Sequence, residues 1–101
     1  MNKVKLSGRL TKDPELHERA ETKVCDMRLA VNGSGKAPTL FIDVVAFGEI
    51  AETSAELEKG AEVQVKGSLR YSEWTVQSGD GPQKRSRHSV IVRELEPAKA
   101  A

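Results

Sequence analysis

Trp74, the only tryptophan in the chain, lies in RYSEWTVQSGDGPQKRSR (Arg70 to Arg87), a segment of turn formers and basic residues. A soluble core would not choose that setting for an indole. With polar neighbours and cations downstream, the ring has an exposed π face beside positive charge, the two features by which a protein holds an unpaired nucleic-acid strand. The competing account is a tryptophan that caps a barrel mouth with only its edge wet, as buried indoles often do. The segment alone leaves both open.

LFIDVVAF (Leu40 to Phe47) carries the second constellation. Ile42, Val44 and Ala46 make one wholly apolar face at a period of two, and Phe41, Asp43, Val45 and Phe47 make the other. The carboxylate of Asp43 argues that the second face meets water. Two phenylalanines beside it are then either covered by a loop or free to stack on something planar, core packing being the commoner fate of phenylalanine. A bulge between Phe41 and Phe47 would break this parity.

Catalytic chemistry finds little support. No nucleophile stands in a recognisable motif, His17 and His88 are isolated, and the cysteine and histidine spacing does not form a zinc site. Asp13 and Glu15 flank Pro14 and read as turn chemistry rather than a paired acid. His88, next to Arg87, is a surface histidine or a phosphate contact. No enzyme activity, metal or cofactor is expected.

At 101 residues the chain fits one domain with a single core, expected over 1–96 with a disordered end over 97–101. Its apolar runs are too short to span a bilayer. One cysteine cannot form an internal disulfide and no leader opens the chain, so the expected location is a reducing cytoplasm, at the nucleoid. Cys25 alternates with Met27, Leu29 and Val31 and is expected as a buried core thiol. The net charge of +1 averages two unlike regions: Glu49 to Glu62 holds five glutamates against one lysine, whereas Lys84, Arg85, Arg87 and Arg93 share a stretch with no acid before Glu94. Such a stretch is a solvated strand face, or a phosphate track if rings lie alongside.

The elements that must position these residues are mostly strands. Asn2 to Leu10 alternates Val4, Leu6 and Leu10 against Lys3, Lys5, Ser7 and Arg9, and Asp13-Pro14-Glu15 breaks it into a loop reaching about Thr22. Lys23 to Val31 is a second strand, Asn32 to Pro38 a turn-rich connection, and Leu40 to Phe47 the third strand. Glu49 to Gly60 reads as a short helix, with Ile50, Ala51, Ser54 and Leu57 inward, an acidic outer side turned from any phosphate, and Gly60 as its cap. Ala61 to Tyr71 alternates Val63, Val65 and Leu69 against Gln64, Lys66 and Arg70. Ser78 to Pro82 is a hairpin tip, and Ser86 to Leu95 is the fifth strand. The expected fold is all-β: a five-stranded OB-fold barrel with one short helix between strands 3 and 4 and a long hairpin between strands 4 and 5.

Across nearly its whole length the chain resembles bacterial single-stranded DNA-binding proteins. The resemblance rests on Asn2-Lys3-Val4 with Gly8 and Leu10, on Asp13-Pro14-Glu15, and on Phe41 through Gly48. Lys59-Gly60, Val65 through Arg70, and Trp74 extend it. It implies sequence-independent binding and protection of single-stranded DNA in replication, recombination or repair, by a homo-oligomer, with a homotetramer favoured over a homodimer. By position it implies stacking roles for Phe41, where many members carry tryptophan, for Phe47 and for Trp74. Tyr71 is a weaker ring, since the family motif does not demand an aromatic there. Lys3, Lys5, Arg9, Lys66, Arg70, Lys84, Arg85 and Arg87, on strand or hairpin positions near those rings, are the phosphate candidates. The rival from another class is an oligomeric OB-fold adaptor whose rings are covered by a protein partner.

Three departures from the family pattern bear on what is implied. The connection from Asn32 to Pro38 is short and lacks a further aromatic, so one stacking platform is expected to be missing. Lys5 and Ser7 stand in the first strand where many relatives are apolar, which weakens pairing of that strand with a symmetry mate. The chain stops at Ala101 with no glycine-rich linker and no acidic C-terminal tail for recruiting other proteins, as in a tailless plasmid, phage or accessory member or in a truncated chain.

Overall fold

Alternation at a period of two dominates the sequence, and strands dominate the computed structural model, which describes residues 1–32 and 38–97. In chain order the elements are β1 (Val4–Leu10), β2 (Glu15–Arg19), β3 (Thr22–Val31), β4 (Leu40–Phe47), α1 (Glu49–Ser54), β5 (Glu62–Ser78) and β6 (Gly81–Pro97). One sheet runs β1-β5-β6-β4-β3-β2, and a further β1–β3 pairing closes β1, β5, β6, β4 and β3 into a ring. All pairings are antiparallel except β4 on β6. The expected five strands are β1, β3, β4, β5 and β6, in OB-fold order.

The inward residues of that ring form the core. Leu10, Cys25, Met27, Leu29, Val44, Ala46, Val63, Val65, Val90 and Val92 are buried together, and Ala51 of α1 plugs onto them. Cys25 is fully buried as expected, and burial pushes its thiol up to about 11. The seam where β1 meets β3 needs a residue without a side chain: a Cβ at Gly8 would stand 2.3 Å from the Ala30 carbonyl oxygen. Among the described residues no helix is long and apolar enough to cross a membrane.

Four expectations are corrected. The loop expected up to Thr22 contains β2, which forms a hairpin with β3 through Ala20 and Glu21, both at positive φ. Every residue of β2 is exposed, so no apolar alternation reveals it. It is held by the ladder, with His17 Nε2 3.4 Å from an Asp26 oxygen. The helix ends at Ser54 rather than Gly60, because the chain then tightens: the Glu56 and Leu57 amides donate to the Thr53 and Ser54 carbonyls, three residues back. Gly60, at φ 91°, instead turns the chain into β5 and donates its N–H to the Leu10 carbonyl.

Third, the hairpin strands run further than expected, pairing continuously up to Ser78 opposite Gly81. The expected tip between Ser78 and Pro82 is there, but the polar residues from Ser72 to Gln77 and from Gln83 to Arg85 are strand. Fourth, Leu69 does not share the burial of Val63 and Val65; it is 42% exposed, because β5 leaves the ring after the register shift at Lys66/Gly67. β4 contains no bulge, and its register with β3 is unbroken from Val31↔Leu40 to Val24↔Phe47. Pro97, expected in the C-terminal end, closes β6 opposite Val63. Residues 98–101 of that end, and 33–37 of the expected turn-rich connection, lie outside the described residues.

Candidate nucleic-acid interface

The unbroken parity of β4 sends Val44 and Ala46 into the core and Phe41, Asp43 and Phe47 to the outer face. Register then decides their neighbours. Arg28 of β3 lies opposite Asp43 and Ala30 opposite Phe41, while β6, running parallel on the other side, sets Ser89 beside Asp43. Phe41 is 53% exposed and Phe47 39%. These are ring faces open to solvent on a rigid strand, not core phenylalanines.

Trp74 reaches the same face from the hairpin. Cross-strand partners share a face, and successive residues alternate. One hairpin face therefore carries Arg70, Ser72 and Trp74 opposite Ser89, Arg87 and Arg85; the other carries Tyr71, Glu73 and Thr75 opposite His88, Ser86 and Lys84. Trp74 is 43% exposed, with the Arg87 guanidinium 5.7 Å from its ring centroid. Arg28 takes the same position over Phe41, also at 5.7 Å. Both arginines meet at Asp43: Arg28 donates to Oδ1 at 3.4 Å, and Arg87 stands 3.6 Å from Oδ2. The result is one continuous line, Phe41–Arg28–Asp43–Arg87–Trp74. A cleft beside it is lined by Phe47, Val45, Arg19, Arg70, Ser72 and Arg87.

The remaining candidates are divided by the fold. Arg85 is Trp74's cross-strand partner and donates to the Gln83 side chain at 3.4 Å. Lys84 lies on the opposite hairpin face with Tyr71. The Tyr71 hydroxyl donates to Glu73 at 2.6 Å, which pushes its ionisation up, and its ring tilts against His88 at 5.0 Å. Lys3, Lys5 and Lys66 surround a separate depression with Val4, Gly67, Arg93 and Glu94. Lys5 faces Lys66 directly across the ladder, and Lys66 stands 3.6 Å from Glu94. Arg9 is ion-paired with Glu62 and lies in neither group.

Arg28 and Arg19 were not among the sequence candidates. A signal for Arg28 exists: period two puts it on the polar side of its strand, and laying that side against the outward residues of the next strand brings it to Asp43. Arg19 sits on β2, which gives no such signal. Among the described residues no cluster of histidine, cysteine or carboxylate side chains is arranged to hold a metal ion. What the face offers is stacking surface and cationic donors without a reacting group, which is chemistry for holding a flexible chain of bases and phosphates.

The comparisons with known proteins agree with that chemistry. The model of the single-strand binding protein family matches residues 1–98. A single-stranded DNA-binding protein of Clostridium perfringens is 45% identical over 95% of this chain and 65% of its own length. One of Wolinella succinogenes is 38% identical over 94% of this chain and 62% of its own. The chain thus spans somewhat under two thirds of the length of these relatives. The crystal structure of the wild-type single-stranded DNA binding protein from Thermus aquaticus superposes with a TM-score of 0.81 at 32% identity, covering all of this chain and 42% of the other.

Proposed function

The chain belongs to the single-strand binding protein family, and we propose that it binds single-stranded DNA without reading its sequence and protects it in replication, recombination or repair. Bases stack on Trp74, Phe41 and Phe47, every base having a π face to offer. Phosphates pair with the arginines around those rings, Arg70, Arg85 and Arg87 from the hairpin and Arg28 from β3, releasing condensed counterions. The protein acts by binding, not by catalysis. Lys3, Lys5 and Lys66 extend the cationic surface away from the rings and touch phosphate only.

One observation carries this reading: two exposed rings from distant parts of the chain lie on one face, each with a guanidinium over it. Assembly as a homo-oligomer, a tetramer before a dimer, is part of the proposal. Its support is the open edge of β1, which pairs with β3 only at Arg9 and Leu10. The nucleoid of a reducing cytoplasm is the setting we propose, with residues 1–96 as the DNA-binding domain.

The test is titration of the protein with oligothymidine while following Trp74 fluorescence, with light scattering on the same samples. Saturable quenching at a fixed nucleotide-to-subunit ratio is expected, since stacking places a base against the indole. An emission that oligothymidine leaves unchanged would overturn the reading and favour an adaptor whose rings meet protein.

A further inference from the structure

Asp43 is an odd residue to find between two stacking rings, because a carboxylate repels the phosphates that the neighbouring arginines attract. Its geometry is bidirectional. Oδ1 accepts from Arg28 at 3.4 Å and Oδ2 lies 3.6 Å from Arg87, so each oxygen engages one guanidinium. Those two guanidinium groups stand over Phe41 and Trp74. The Asp43 side chain keeps about a quarter of its surface, 26%, in solvent, against 46% for Arg28 and 57% for Arg87. It thus sits in the position a backbone phosphate would take, with the arginines open to exchange.

Resting on the single-strand reading above, we infer that Asp43 is a specificity-determining residue: its carboxylate stands in for phosphate between the ring-capping arginines and disfavours polyanions that bring no bases. A bare polyanion can bind this face only through cations, and Asp43 already occupies two of them. Its gain on displacing the carboxylate is small, because one exposed ion pair is exchanged for another. A strand with unpaired bases also has the exposed ring faces and the Arg70 and Arg85 guanidinium groups, none of which Asp43 engages, so it depends less on displacing the carboxylate. In the empty face Asp43 offsets one of the two guanidinium charges it touches, and stacking decides what fills it.

The test compares two ligands at one salt concentration: the Kd of labelled oligothymidine, and the inhibition constant of inorganic polyphosphate against it, which reads only the surface the two share. Asp43→Asn and the smaller Asp43→Ser are measured beside wild type, with Glu56→Gln, on the acidic segment after α1, as a matched removal of one negative charge elsewhere. Both Asp43 variants are expected to bind polyphosphate more tightly and to narrow its disadvantage against oligothymidine by about two- to fivefold, the range an exposed ion pair spans. Glu56→Gln should leave that ratio unchanged. An equal gain for both ligands, no gain, or the same shift in Glu56→Gln overturns the inference while leaving single-strand binding intact. Wild-type protein that does not bind oligothymidine removes both.

Discussion

Two faces of this small ring of strands carry positive charge, and they differ in what accompanies it. On the β3–β4 and hairpin face, Arg28 and Arg87 lie over Phe41 and Trp74 and share Asp43. On the β1–β5–β6 face, Lys3, Lys5, Lys66 and Arg93 crowd around Val4 and Gly67 with Glu94 and no ring. Guanidinium is planar and weakly hydrated and suits stacked, partly desolvated sites; ammonium is a strongly hydrated point charge. In the proposed function the first face holds bases and the second attracts phosphate. The proposed site is marked by charge in register with rings, not by charge alone.

The comparison breaks most readily at Trp74. Trp74→Ala should lose about 1 to 3 kcal/mol on oligothymidine, roughly 5- to 150-fold in Kd. Fluorescence disappears with the indole, so a labelled oligonucleotide reports the affinity. An unchanged Kd would make the ring face no different from the lysine face.

β1, with Lys3 and Lys5 at one end, closes the strand ring on β3 at the other, and Gly8→Ala strikes that seam. With the added Cβ driven against the Ala30 carbonyl oxygen, backbone must shift, and a drop of about 1 to 3 kcal/mol in stability is expected by thermal or urea unfolding. A variant as stable as wild type would show that the strand ring is looser at β1 than its register implies.

The lysine face should respond to salt rather than to ligand chemistry. Lys5→Ala with Lys66→Ala is expected to flatten the log-log salt dependence by about 0.7 for each phosphate that is no longer neutralised. The affinities for oligothymidine and polyphosphate should fall by the same factor. A larger fall for oligothymidine would place bases on this face as well.

The smallest effect sharpens the contrast within the hairpin itself. Tyr71 is as exposed as Phe41, both at 53%, but it faces away from Trp74 and donates to Glu73. Tyr71→Ala should change the oligothymidine Kd by less than about twofold, the scale of an isolated surface substitution. An effect comparable to that of Trp74→Ala would mean that DNA wraps both hairpin faces.

Much of this was legible from residues alone, for a physical reason that varies from element to element. β4 was readable to the residue because one side packs a core and the other carries Asp43, so burial wrote a strict alternation. The hairpin tip was readable because Gly79 and Gly81 serve a tight turn. β2 was not, since both its sides are wet and nothing apolar records its pleat. The end of α1 was misplaced because a turn tightened by three-residue hydrogen bonds carries the same glutamates and leucine as a helix.

Local chemistry in the chain determined that there would be strands, which side of the core-lining ones would face inward, and that Phe41, Phe47 and Trp74 stood on polar sides. Tertiary structure decided which of those sides adjoin. Asp43 meets Arg28 and Arg87 only through the β3–β4 and β4–β6 registers, and Trp74 meets Arg85 only through the hairpin register. A pleat repeats every two residues and can be read locally. Register joins residues fifteen to forty-four positions apart, and no short window of sequence contains both partners.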